Sequence, residues 1–411
     1  MKKSQIIILS MLIIVTMFVP QNTGAILIIE EPEFTLIHDL TLSPGDSLLS
    51  VINYHGDVVL FNISTGVIYS TIKQNFSIIW HKWINDSTIL VAGNEICLFN
   101  IKTNETTLMF NKNHDLPIQM ISLNPNRTFL ATGSYKTPII SPRDDSILQL
   151  WEISTGKELL SLNTTLHIGM MEWNGKGDQI AFENANLINF WDIKQNKILE
   201  SYFNPRNIDL DALGVTYNDF GLNSSEQLEQ ELSAMDLCDF VWLKKTNNIL
   251  VTNNLAGRGL LIKFNANNWN ENQTLFKNGA SHVLGVSHDE SLIAHSINTT
   301  IDIYTGQTLV KSLNKTKVVN GTVDGILNDG LYHSELVWSS DDSFLVTISL
   351  DDTIRLYNYD SGEEVLRIGK YHPPSVVIYD EKSTDMSMVG FLTVIIFLSI
   401  IPVLKRKKLK N

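Results

Sequence analysis

The strongest constraint on this chain is a unit that returns along most of its length. Each copy is a short run that is apolar on both faces, then an aromatic, then Asp, Asn or Glu, then an apolar residue and a polar turn that often ends in Gly. It reads VVLFNISTG around Phe61, ICLFNIKTN around Phe99, LQLWEISTG around Trp151, INFWDIKQN around Trp191, LIKFNANN around Phe264, TIDIYTG around Ile303 and IRLYNYDSG around Tyr357. Successive anchors lie 38, 52, 40, 73, 39 and 54 residues apart, so the period is near forty and the long intervals hold one period plus an insertion. Upstream of most copies a polar turn leads into a β-rich run, as in SPGDSLLSVI, NPNRTFLATG, SHDESLIAHS and SSDDSFLVTIS. Each period therefore predicts four short strands separated by turns.

In the third strand of a copy, such as residues 147–153, apolar side chains occupy both alternating faces. An antiparallel strand of that kind must be covered on both sides. Neighbouring copies are the available cover, which is the packing of blades arranged radially. Seven copies predict an all-β, seven-bladed β-propeller over residues 26–370. Residues Phe34 to Ile37 either add an outer strand to the last blade or begin the first. Closure of the ring removes exposed sheet edges. An eight-membered ring would require two degenerate blades around Phe264, and the helical pattern of the preceding insertion argues against it.

Trp151-Glu152, Trp191-Asp192 and Tyr357-Asn358 end their third strands, and Asp145 and Asp351 each stand six residues before the aromatic. In these residues the chain resembles the WD-repeat β-propellers, over about 340 residues. The resemblance implies that each Asp sits in the turn between second and third strands, in a buried network with a Trp and a His. It implies protein–protein interaction as the commonest role. Phe replaces Trp in blades one, two and five, and the family's Gly-His pair is absent upstream of every copy.

The two ends predict a membrane protein. Lys2 and Lys3, an apolar run from Ile6 to Val19, Pro20 and small residues to Ala25 read as a signal peptide over 1–25, with an uncleaved anchor as the alternative. Residues 371–385 read as a juxtamembrane linker. Met386 to Leu404 carries no charge and is long enough for a transmembrane helix, followed by a basic tail over 405–411. Positive flanks stay in the cytoplasm, which puts the propeller outside the cell; a tail-sorting signal that is later clipped would look the same. Eleven Asn-x-Ser/Thr triplets fit that topology: Asn62, Asn75, Asn85, Asn104, Asn126, Asn163, Asn223, Asn272, Asn298, Asn314 and Asn320. The alternative is an Asn-rich composition. Seven of the 31 basic residues sit at the two ends, which leaves 24 against all 44 acidic ones, a net of −20. That balance argues against a nucleic-acid partner.

Three stretches exceed the repeat. Asn204 to Asp236 carries Ser224-Ser225-Glu226-Gln227, a capping-box pattern, before Leu228, Leu232 and Met235 at helical spacing, and predicts a short amphipathic helix against the ring. Ser134 to Asp144 lengthens a turn of blade three, and Asn314 to His333 links blades six and seven. Such loops are favoured recognition sites.

Motifs for catalysis are missing: no Gly-x-Ser-x-Gly elbow, no phosphate-cradling Gly-rich loop, no His-Glu-x-x-His. The ten histidines are scattered and read as solvated or core residues, and the pairs Asp144-Asp145, Asp341-Asp342 and Asp351-Asp352 read as turn formers. No metal or cofactor site is expected. Cys97 and Cys238, in blades nearly opposite each other, are expected as free buried thiols, because a disulfide needs Cα atoms about 4.4–6.8 Å apart. The expected function is a membrane-anchored, non-catalytic binding scaffold with an unidentified protein partner. The alternatives are a quinoprotein-like enzyme with a ligand in the central channel, and a structural surface-layer component.

Overall fold

The computed structural model describes residues 27–29, 38–53, 55–110, 116–135, 145–165, 168–184, 187–199, 216–220, 222–228, 236–255, 258–276, 283–297, 300–314, 336–348 and 353–369. Within them the seven copies form seven antiparallel sheets, each with four strands in chain order. The blades span 38–72, 80–109, 118–165, 168–198, 236–276, 284–314 and 336–368. Each first strand touches the first strand of the next blade, and that of blade seven touches that of blade one. The first strands therefore surround the axis and the ring is closed. Because directions alternate within a blade, the turns after the first and third strands emerge on one face of the ring, and the remaining connections on the other.

The double-sided apolar pattern is used as the period requires. Seven buried clusters fill the seven seams between blades. In the third strand of blade one (Val58–Asn62), Val59 and Phe61 pack against Val346, Leu356 and Ile368 of blade seven. The intervening Val58 and Leu60 pack against Trp83, Val91 and Phe99 of blade two. Strand alternation thus sends successive side chains into opposite seams, and among the described residues every buried cluster spans two blades.

Six of the seven anchors are buried at the expected position: Phe61, Phe99, Trp151, Trp191, Phe264 and Tyr357. The sixth copy is a correction. Ile303 is buried, but it faces the seam with blade seven. In blades one, two, three and seven the third-to-fourth strand register shifts just before the anchor; in blade six it shifts between Ile303 and Tyr304. Tyr304 is therefore the equivalent of Phe61 and Tyr357. The following turn is shorter: Gly306 stands two residues after Tyr304, whereas Gly66 stands five after Phe61. That shortening hid the aromatic from the pattern.

Ring closure also differs from the expected form. Leu27–Ile29 pairs in parallel with Glu364–Ile368 as a fifth, outer strand of blade seven, with Leu27 opposite Leu366 and Ile29 opposite Ile368. The added strand lies ahead of Phe34 to Ile37, which fall outside the described residues. It covers an edge whose amides and carbonyls would otherwise be open to pairing.

In the long insertion, residues 225–228 are helical. Gln227 N donates to Ser224 Oγ at 3.3 Å and Asn223 N donates to Gln227 Oε1 at 2.8 Å, so the capping pattern is used. Leu228 packs with Phe190, Phe240 and Trp242; Leu232 and Met235 lie outside the described residues. Residues 1–25, 371–385, 386–404 and 405–411 also lie outside them. Among the described residues no helix is long and apolar enough to cross a membrane.

Candidate functional site

The first strands of all seven blades enclose a central cavity of about 580 Å³, within the range of small-molecule sites. Its lining carries opposite charges, with Lys82 from blade two, Arg127 from blade three, Glu172 from blade four, and Asp239 and Lys244 from blade five, and Met120, Met170 and Trp80 as apolar wall. Burial pushes the Glu172 carboxyl up, against the attraction of Lys244 and Lys82. Burial also raises Asp239; the Leu284 and Phe240 amides oppose it, Glu172 reinforces it, and the group titrates at about 7. Leu284 N donates to Asp239 Oδ2 at 3.0 Å.

Beside the channel lies a sealed polar network across blades one and two. Asp39, at φ 49° on a bulge of its strand, accepts the His81 backbone N–H at 2.8 Å and the Lys82 ammonium at 3.2 Å. His81 Nδ1 lies 2.9 Å from Asp39 Oδ2. On its other side, His81 Nε2 meets Ser50 Oγ at 2.7 Å. Burial disfavours a charge on Asp39, but Lys82 and His81, with the bonds from His81, outweigh it and hold the carboxyl well below the usual range. This Asp–His–Ser order is that of a nucleophilic triad, yet Ser50 cannot act as one. Its hydroxyl donates to Thr41 O at 3.0 Å, receives Trp83 Nε1 at 2.8 Å, and is fully buried with His81. The network fastens two blades together.

The face that carries the first and third turns is built by a repeated device. Five of the seven first turns open with Ser or Asn, whose side-chain oxygen takes the backbone N–H five residues on: Leu48 N on Ser43 Oγ, Phe129 N on Asn124 Oδ1, Gln179 N on Asn174 Oδ1, Leu292 N on Ser287 Oγ and Phe344 N on Ser339 Oγ. The fourth residue is left-handed in Asp46, Arg127, Gly177, Glu290 and Asp342. That conformation aims the acidic ones at the preceding blade. Lys245 N donates to Glu290 Oε1, His288 N to Asp342 Oδ1 and Ser340 N to Asp46 Oδ2, each at 2.7 Å; in blade two, Asp86 takes Gly45 N at 2.7 Å. Four of the seven seams are pinned in this way.

The anchors are structural. Trp151 Nε1 donates to Thr132 Oγ1 at 3.1 Å and Trp191 Nε1 to Asn196 Oδ1 at 3.2 Å. Asp145 opens the third strand of blade three, opposite Thr165; Asp351 lies outside the described residues. Cys97 is a free buried thiol, raised by burial to about 11. Cys238 falls within the first strand of blade five, Asp236–Trp242. Among the expected glycan acceptors, Asn75, Asn85, Asn104, Asn126, Asn163 and Asn223 are exposed, and Asn62 is half-buried with its Oδ1 holding Ser64 and Thr65. The side chains of Asn272, Asn298, Asn314 and Asn320 lie outside the described residues.

Sequence reading missed a second aromatic series, Trp83, Trp173, Trp242 and Trp338, all buried on first strands. Trp83 and Trp173 donate into the preceding blade, to Ser50 Oγ and to Ser122 O. A Trp directly before the polar turn, as in Trp173-Asn174 and Trp338-Ser339, was the available signal. No protein-family model matches this chain, and no curated protein matches it.

Proposed function

We propose that the chain is a membrane-anchored binding scaffold whose propeller, of WD-repeat kind, stands outside the cell and presents its turns to a protein partner. The observation that carries this is the pinned turn face. Carboxylates held at φ near +50 to +65° tie the first turns of neighbouring blades together, so residues beside them are displayed with little loss of conformational freedom on binding. The sealed Ser50 supports a non-catalytic role, since a hydroxyl already bonded to Thr41, His81 and Trp83 has no path to a substrate. Orientation rests on the basic end 405–411, and the exposed Asn residues are compatible with glycans. The WD-repeat kind rests on Trp151-Glu152, Trp191-Asp192 and Tyr357-Asn358.

Proximity labelling from the native cell surface tests the proposal. A reproducible set of neighbours, with the basic tail protected from external protease, is the expected result; cytoplasmic neighbours alone would overturn it. The channel supports a second reading, a small ligand bound between Lys82, Glu172, Asp239 and Lys244. Recovery of a stoichiometric cofactor after incubation with metals and quinones would favour it. Self-association of the purified chain at micromolar concentration would favour a surface-layer role.

A further inference from the structure

We propose that the turn face of blades four and five is a docking surface for an acidic polypeptide segment, an inference that rests on the scaffold reading and adds the chemistry of the partner. Five exposed lysines, Lys176, Lys194, Lys197, Lys244 and Lys245, occupy the first and third turns of these two blades and the residues bordering them. Two carboxylates, Asp178 and Asp192, lie among them and Glu290 of blade six adds a third, a local balance of +2 in a chain of formal charge −13. The two Asp side chains are already engaged: Asn174 Nδ2 donates to Asp178 at 2.6 Å, and Gln195 N and Nε2 donate to Asp192 at 2.8 and 3.2 Å. Glu290 reaches the same turn from blade six, but its oxygens are spent on the backbone amides of Lys245 and Thr246. Among the described residues, none of the five ammonium groups lies within ion-pair or hydrogen-bond distance of a partner, although Glu172 attracts Lys244 and Asp289 attracts Lys245 at longer range.

The two blades present these charges as one surface. Gly175 packs so closely on blade five that a Cβ built there would sit 1.9 Å from Lys244 O. The sequon acceptors in the turns of this face, Asn62, Asn85, Asn104 and Asn126, belong to blades one to three, so glycans there would leave blades four and five open. All five cations are Lys and none is Arg. An ammonium is a hydrated point charge suited to scattered carboxylates, whereas the guanidinium fork is the better match for phosphate and sulfate. An extended polyanion would also run onto the acidic turns of blades six and seven, where Asp289, Asp341 and Asp360 are exposed. A short acidic segment fits the patch alone, and its association should be fast and salt-sensitive.

The test uses the purified full chain and a fluorescein-labelled peptide of alternating Glu and Gly, followed by anisotropy at low and physiological ionic strength. Expected are binding that weakens with salt, a loss of about ten-fold or more in the K194E/K244E/K245E variant, a smaller loss in K194Q/K244Q/K245Q, and no change in K102E/K157E, which alters exposed lysines of blades two and three. Unchanged melting of the variants separates this from misfolding. An equal loss in K102E/K157E overturns the proposal. So does tighter lysine-dependent binding of heparin or of phosphatidylserine vesicles than of the peptide, or self-association abolished by the triple variant, which makes a second copy the occupant. If the peptide does not bind but surface neighbours are recovered equally with the triple variant, the patch assignment fails and the scaffold reading stands. If no neighbours are recovered at all, the scaffold reading fails too.

Discussion

Ser340, in the first turn of blade seven, donates both its backbone N–H, at 2.7 Å, and its hydroxyl, at 2.5 Å, to the Asp46 carboxylate of blade one, 294 residues earlier in the chain. The bonds lie at the seam where the two ends of the ring meet, beside the cluster of Leu49, Val51 and Phe61 with Val346 and Leu356. Asp46 can make them because its φ of 51° turns its side chain toward the neighbouring blade. Ala at that position loses the acceptor and tolerates the left-handed backbone less well, so Asp46→Ala is expected to cost about 1–2 kcal/mol in urea unfolding. Asp46→Asn keeps an acceptor and a residue suited to positive φ, and should lose less than half of that.

Ser50 is the hub of the seam between blades one and two. Removing its hydroxyl strands Trp83 Nε1 and leaves His81 Nε2 with the longer contact to Thr41 Oγ1 at 3.2 Å, both side chains being buried. Ser50→Ala is expected to destabilise by about 2–3 kcal/mol, and adding Trp83→Phe should recover part of it, since the orphaned donor goes with it. Thermal melts of the two single variants and the double variant check this.

Deleting an anchor leaves a void in a seam. Trp151 packs against Phe110 with ring centroids 5.9 Å apart and bonds Thr132. Trp151→Ala and Trp191→Ala should each cost about 3–5 kcal/mol, while Ile303→Ala, lacking an aromatic to lose, should fall below both. Denaturation midpoints at a common pH provide the comparison.

Two carboxylates make opposite demands on pH. The Asp39 pKa is depressed by folding, so its contribution is present above the unfolded value of about 3.9 and is lost as pH falls from there toward the folded value. Asp239 is raised to about 7; its contribution is full below about 4 and declines as pH rises toward and through 7. Asp239→Asn keeps the acceptor for Leu284 N and should therefore be more stable than the parent at pH 8, by about 1 kcal/mol because channel water screens part of the effect. At pH 4 the two should melt together. Asp39→Asn should lose stability at neutral pH and narrow its gap to the parent as acid is added.

Gly175→Ala tests the contact between blades four and five. The added methyl meets a backbone carbonyl, Lys244 O, which cannot rotate away as a side-chain end would. A loss of about 1–3 kcal/mol is expected, read by urea unfolding, with Gly306→Ala as a contrast where only the positive φ of 56° is at stake and nothing lies within 4 Å.

The seven blades could be read from sequence because their signal is local: alternation, an anchor and a turn repeat inside each forty-residue window, and Phe61 or Trp191 stands out without knowledge of its neighbours. Blade six shows how that reading fails. A turn shortened by three residues moved the pattern onto Ile303 although Tyr304 holds the anchor position, and only the strand register reveals it. Asp39, Ser50 and His81 look unremarkable along the chain. They are joined because a bulge at Asp39 and the first strand of the next blade bring them within hydrogen-bonding distance.

By itself the sequence determined the repeat number, the strand order within a blade and the two-faced burial of each third strand, since these follow from side-chain alternation over a few residues. Tertiary structure alone decided which residues meet across the seams. It placed Leu27–Ile29 on the outer edge of blade seven, put Asp46 on Ser340, and gathered Lys82, Glu172, Asp239 and Lys244 from three blades around one axis. Such contacts join residues up to hundreds of positions apart, and their partners are fixed by closure of the ring, a condition that no local stretch of sequence can express.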